Sequence, residues 1–191
     1  MAHLRLFIAI DPPGPAKAAL TRSIRDLAPK LKGVRWVRPE TLHLTLKFLG
    51  DTPEESVPEI TAAAGGALRS AKPGQLSLRG LGVFPNERRP SVLWAGIEDG
   101  ADWLKGLAAK LECALASIGI PPEERPFRPH LTLGRIRRGT RLPKGELGHI
   151  LEDFSSHPFG SGTIPKATLF ASTLTQQGAI HESLAQFPFQ G

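Results

Sequence analysis

Two hydrophobic rhythms alternate along the chain. Leu4 to Ile10 is an apolar run of strand length, closed by the turn-forming Asp11-Pro12-Pro13-Gly14. From about Pro15 to Lys32 the rhythm becomes helical. Leu20, Ile24, Leu27 and Leu31 fall on one face, Pro15 suits a first turn, and Gly33 offers a stop. A second helix is predicted to start at Thr52, where Thr52-Pro53-Glu54-Glu55 combines an N-cap oxygen, an early proline and a Glu three residues on. Its apolar face is Val57, Ile60, Ala64 and Leu68. A third helix, from about Ala101 to Ile118, carries Leu104, Leu107, Leu111 and Leu115, with Gly119 as its C-terminal cap. Strand-like runs cover Gln75 to Val83, Ser91 to Ile97, Ala167 to Thr175 and Ile180 to Phe187. No Gly/Ser linker divides the chain, so residues 1–191 read as one domain made of two interleaved lobes.

The pattern also repeats. His-Leu-Thr-Leu occurs at 43–46 and again at 130–133. Leu6-Phe7-Ile8-Ala9-Ile10, a helix and a Pro-bearing loop lead to the first copy; Leu93-Trp94-Ala95-Gly96-Ile97, a helix and a Pro-rich loop lead to the second. Ile10 precedes His43 by 33 positions, and Ile97 precedes His130 by the same 33. Such matched spacing is the mark of duplicated units. The predicted fold class is therefore α+β: a bilobal, pseudo-two-fold duplicated fold, with two antiparallel-rich sheets and outer helices around a central cleft.

Side chains alternate along a strand, so His43 and Thr45 share one face while Leu42, Leu44 and Leu46 share the other. His130 and Thr132 are displayed in the same way, backed by Leu131 and Leu133. A single such strand is unremarkable, since Thr favours strands and a lone His is usually structural. Two copies on facing lobes bring two imidazoles and two hydroxyls to one cleft. Two His leave a zinc site short of ligands, and no Cys or acidic residue stands at helical ligand spacing beside either. A paired general acid and general base fits better, because imidazole titrates near neutrality and one ring can take a proton while the other gives one. The Thr hydroxyls suit the non-bridging oxygens of a phosphate.

Composition narrows the class further. Of 191 residues 40% are apolar and 22% charged, which is globular, and no apolar run approaches the roughly 20 residues of a membrane span. The N-terminus lacks the pattern of a signal peptide, and the lone Cys113, expected to be partly buried and unreactive, excludes an intrachain disulfide. A cytoplasmic protein is expected. The net charge of +6 admits a polyanionic partner. Arg135, Arg137, Arg138, Arg141 and Lys144 form a run without an acid, either a solvated loop or a contact for an RNA backbone. Arg88 and Arg89 are weaker candidates of the same kind. Phe48, Trp36 and Phe127 flank the motifs and are candidates for stacking a base. His3, His149, His157 and His181 lie outside any motif and read as surface or structural.

The motifs His43-Leu44-Thr45-Leu46-Lys47-Phe48-Leu49-Gly50 and Pro129-His130-Leu131-Thr132-Leu133-Gly134-Arg135 resemble those of the 2H phosphoesterases. Within them the chain is similar to the bacterial and archaeal RNA 2′,3′-cyclic phosphodiesterases, also called 2′-5′ RNA ligases. Arg5 to Ile10, Trp36-Val37, and Ser172-Thr173-Leu174 with Gly178 extend the likeness nearly end to end. Where this subgroup often has a Tyr after that Gly, this chain has His181. The resemblance implies that His43 is the proton donor and His130 the proton acceptor, that Thr45, Thr132 and Arg135 bind the phosphate, and that no metal or cofactor is needed. It implies opening of a 2′,3′-cyclic phosphate to a 2′-phosphate, with ligation as the reverse. The expected partners are RNA ends or a small nucleotide carrying the cyclic phosphate, with the enzyme a monomer. A phosphodiesterase acting on a small nucleotide, a non-catalytic RNA-binding module and a zinc enzyme remain the competing readings of the residues themselves.

Overall fold

The computed structural model describes residues 2–137, 139–140, 142, 145–176 and 178–190. In chain order the elements are β1 (His3–Ile10), α1 (Gly14–Leu27), β2 (Val34–Trp36), β3 (Leu44–Pro53), α2 (Val57–Leu68), β4 (Gly74–Phe84) and β5 (Val92–Asp99). They continue with α3 (Ala101–Ala116), β6 (Leu131–Ile136), α4 (Glu146–Asp153), β7 (Pro158–Ile164), β8 (Lys166–Thr175) and β9 (Gly178–Pro188). Two sheets result, ordered β3-β1-β8-β9 and β2-β6-β5-β4-β7. Every pairing in them is antiparallel.

The internal repeat is visible in the connections. β1 runs into α1 and the chain returns as β3, paired to β1; β5 runs into α3 and the chain returns as β6, paired to β5. The helices cross over, however. α1 packs on β7 of the second sheet, while α3 packs on β3 and α2 on β9 of the first. The buried apolar residues accordingly form one continuous cluster, in which Leu6, Ile8 and Ile10 of β1 join Leu20 of α1, Ile60 of α2 and Leu111 of α3. Alternation then sends the odd positions of β1 to the opposite face, where Phe7 meets the ring of His43. No helix of the described residues is long and apolar enough to cross a membrane.

Three boundaries differ from the sequence reading. Thr52 does not cap a helix, because the β1–β3 ladder continues through Leu4↔Thr52 to His3↔Pro53 and takes up its backbone. Its hydroxyl donates to the Gly50 carbonyl at 3.2 Å, and α2 begins at Val57 after a short 3₁₀ turn. α1 stops at Leu27, and the next residues form turns that still bury Leu31 before Gly33 adopts φ +120°. α3 stops at Ala116. There the amide of Ile120 bonds the Leu115 carbonyl and that of Gly119 bonds the Ala116 carbonyl, with Gly119 left-handed at φ +85°, a Schellman closure. Cys113 is exposed on α3 rather than partly buried.

Gly82 on β4 has a packing role. A Cβ built there would overlap the indole of Trp94, its register partner on β5, and that indole in turn leans on Phe84 at 5.1 Å. Gly82→Ala is expected to cost about 1–3 kcal/mol by overpacking, read as a lowered urea midpoint at unchanged slope. A midpoint equal to that of the unsubstituted chain would show that the indole has room to move.

Candidate active site

The two motif strands touch where the sheets meet. His43 and His130 each stand one residue ahead of their strand, β3 and β6. The alternation read from sequence holds across both. Leu42, Leu44 and Leu46 are buried on one side, as are Leu131 and Leu133, while His43, Thr45, His130 and Thr132 are only half-buried on the other.

The two imidazoles are held alike. His43 Nδ1 lies 2.7 Å from the Thr41 carbonyl, and His130 Nδ1 lies 2.7 Å from the Arg128 carbonyl. A carbonyl oxygen only accepts, so each Nδ1 carries a hydrogen and donates it two residues back along the chain. In the neutral ring the lone pair is then on Nε2, and in the protonated ring Nε2–H is the proton to give. Each ring also rests on aromatics: His43 on Phe7 at 4.8 Å, which stacks on Phe170 at 5.3 Å, and His130 edge-on to Phe84 at 5.0 Å. The arrangement fixes the tautomer and limits how far either ring can turn.

Electrostatics tie the halves together. Burial pushes His43 below the ordinary imidazole value of 6.5, and the Arg135 charge adds to this, while the Thr41 carbonyl and Asp11 pull the other way. Burial also lowers His130, against the Arg128 carbonyl and again with help from Arg135. Arg135 on β6 thus acts on both rings, one from each half of the chain.

The remaining candidates fall into different places. Phe48 is 40% exposed, with the Arg5 guanidinium 4.8 Å from its ring centroid, so it keeps an open surface. Trp36 and Phe127 instead pack against the core, Trp36 beside Gly134. Lys47 has the look of a phosphate-binding cation inside the first motif, yet it is buried on the helical side. Its Nζ donates to Glu112 Oε2 at 2.9 Å and to the Pro121 carbonyl at 3.0 Å. Arg137 is exposed one residue beyond β6, and Arg88 and Arg89 are exposed between β4 and β5. Arg138, Arg141 and Lys144 lie outside the described residues.

The sequence reading missed His181. This residue of β9 stands 5.0 Å from His43, ring to ring and near perpendicular, and 4.9 Å from Phe7. Burial, then the charges of His43 and Arg38, push its pKa down to about 4. A pocket of about 220 Å³ opens there, lined by Asp11, Arg38, Thr41, His43, Phe170 and His181 among others. The local sequence around His181 holds no motif. The one signal available was that it stands where the similar proteins often carry another ring.

Twin half-buried imidazoles, neighbouring hydroxyls and an arginine whose charge reaches both rings are an arrangement able to move protons at an anionic centre. Comparison with known proteins gives the family. The family described as LigT like phosphoesterase matches the chain twice, over residues 10–94 and 96–181. The chain belongs to this phosphoesterase family, the 2H phosphoesterases, and is a hydrolase. It is 34% identical over 179 residues to an RNA 2′,3′-cyclic phosphodiesterase of Aquifex aeolicus, covering 90% of this chain and 94% of that one. It is 33% identical over 184 residues to a protein of the same name from Methanothermobacter thermautotrophicus, covering 96% and 98%. A crystal structure from Thermus thermophilus superposes with a TM-score of 0.82 at 32% identity, over 98% of this chain and 99% of that one. Escherichia coli LigT, crystallised with 3′-AMP, gives 0.77 at 26% identity over the whole of both chains.

Proposed function

We propose that the chain hydrolyses the 2′,3′-cyclic phosphate at an RNA end to a 2′-phosphate, as a single domain and a monomer, with His43 and His130 as the acid–base pair and no metal. The observation that carries this reading is the twin Nδ1-to-carbonyl hydrogen bonds, which leave an equivalent Nε2 on each half of a site that Arg135 influences as a whole. The names of the similar proteins support the choice of substrate.

The fold breaks the symmetry of the pair. In a cyclic phosphate the leaving oxygen belongs to a bulky nucleoside, whereas the nucleophile is water. The pocket lies against His43, and His130 is the more open of the two. This supports the assignment that the resemblance implies, with His43 as the general acid and His130 as the general base. His130 Nε2 takes a proton from water as its oxygen bonds to phosphorus. The P–O3′ bond breaks, its electron pair stays on O3′, and His43 Nε2 delivers the proton there. Thr45 and Thr132 donate to the non-bridging oxygens, and Arg135 offsets the charge that builds on them. With the 5′-hydroxyl of a second strand in place of water, the same steps form a 2′-5′ phosphodiester, and O3′ again leaves with the proton from His43.

An oligonucleotide ending in a 2′,3′-cyclic phosphate should be opened to the 2′-phosphate with chelator present. A 3′-phosphate product, or loss of turnover on chelation, refutes the reading. The pH dependence of kcat/KM supplies a further check. Turnover needs one proton on the pair, and burial lowers both rings below 6.5, so the bell-shaped profile should centre on the acid side of 6.5. A profile still rising above 6.5 contradicts it.

A further inference from the structure

The pocket beside His43 carries carboxylates as well as a cation on its lining. Asp11 and Glu40 line it, and its one arginine, Arg38, donates to the Ala179 carbonyl at 3.0 Å. Such a lining offers a phosphate group little net attraction, whereas the Arg135 charge reaches both motif histidines. What the pocket suits is a neutral, flat, partly apolar group. Phe170 and Ile180 supply apolar surface, and His181 supplies a ring held against Phe7 and edge-on to His43.

We propose that His181 is a specificity-determining residue whose ring forms the wall of a pocket for the uncharged nucleoside that carries the leaving oxygen. This rests on the cyclic phosphodiesterase reading and adds to it the part of the substrate that the pocket holds. His43 faces the same pocket, so a nucleoside packed on His181 brings its ribose oxygen to the proton donor. The charged and titratable groups around His181 are Asp11, Arg38, Glu40 and His43. With burial first, and then the charges of His43 and Arg38, disfavouring a charge on it, His181 stays neutral at neutral pH and adds no ionic preference of its own.

The test compares adenosine 2′,3′-cyclic phosphate with propane-1,2-diol cyclic phosphate, which keeps the five-membered cyclic ester and lacks base and ribose. In His181→Ala, the ratio of kcat/KM for the nucleoside substrate to that for the diol substrate should fall about tenfold, the scale of one lost ring contact to a base. His181→Phe keeps a ring against Phe7 and Phe170 and should hold the ratio within about threefold of the unsubstituted chain. An equal loss on both substrates in His181→Ala overturns the proposal in favour of support for His43. An unchanged ratio, or a fall in His181→Phe as large as in His181→Ala, overturns it as well. Should the unsubstituted chain open neither substrate, the phosphodiesterase reading fails first, and the two failures are told apart.

Discussion

Alanine in place of His43 should lower turnover of a cyclic phosphate by about 10²–10⁴, the range that a positioned proton donor or acceptor supplies. Alanine at His130 should do the same. On the proposed assignment each imidazole carries its own proton, and water replaces a fixed, pre-oriented Nε2 poorly. The loss should fall on kcat more than on KM, because the proton moves only as the P–O3′ bond breaks. The double variant should lose far less than the product of the two single losses, since a base without its acid, or an acid without its base, already forfeits the concerted step. Stability should change little. The hydrogen bond that each ring makes spans two residues of its own chain, and neither ring is fully buried. Thermal unfolding of each variant separates this from a folding defect. A single variant that folds and turns over at near the normal rate ends the acid–base assignment.

The parts of this fold that were legible in the sequence are those whose signal is local. Leu20, Ile24 and Leu27 mark α1 because a helix that covers a sheet must place its apolar residues on one side. The Leu-x-Leu spacing of both motifs marks a strand with one greasy face, and the two structural contexts match because the sequence repeats. β7 was not legible. Its Pro158-Phe159-Gly160-Ser161-Gly162 reads as a loop, and it becomes a strand because β4 offers a ladder from Gly74↔Ile164 onward. Its glycines are there for α1: a Cβ on Gly160, at φ +120°, would come within 3.2 Å of the Ala16 amide nitrogen, and one on Gly162 within 3.0 Å of Pro13. The three-residue β2 and the eight-residue α4, with Gly148 inside it, are too short for periodicity to register. Thr52 misled because a capping signature is local, whereas the ladder that overrode it pairs residues some fifty positions apart.

The site divides along the same line. Each His-x-Thr pair is contiguous in sequence and was found as such. His181 reaches the site by strand order alone: β9 pairs with β8, β8 with β1, and β1 carries Phe7 under His43. Lys47 shows the converse. It lies close to His43 in sequence, and a β-bulge in the β1–β3 pairing, with the Glu112 carboxylate waiting on α3, turns it to the far side of the sheet.

Methionine in place of Arg135 should cost about 10²–10³ in kcat/KM, comparable to removing a charge-stabilising donor from other sites where negative charge develops in the transition state. It should also move the pH profile. The Arg135 charge disfavours a proton on His43 and on His130, so both rings titrate lower with it present than without it. Removing that charge raises both values, and both limbs of the bell should shift to higher pH together. Arg135→Lys separates the two roles. Lysine keeps the positive charge, so the limbs should stay near their original positions. It lacks the planar fork that grips two phosphate oxygens at once, so part of the rate loss should remain. The measurement is kcat/KM against pH for the three proteins at one ionic strength. If Arg135→Met loses rate while its limbs stay fixed, Arg135 holds substrate without acting on the imidazoles. If only one limb moves, its charge reaches one histidine, and the site is not the single electrostatic unit described here.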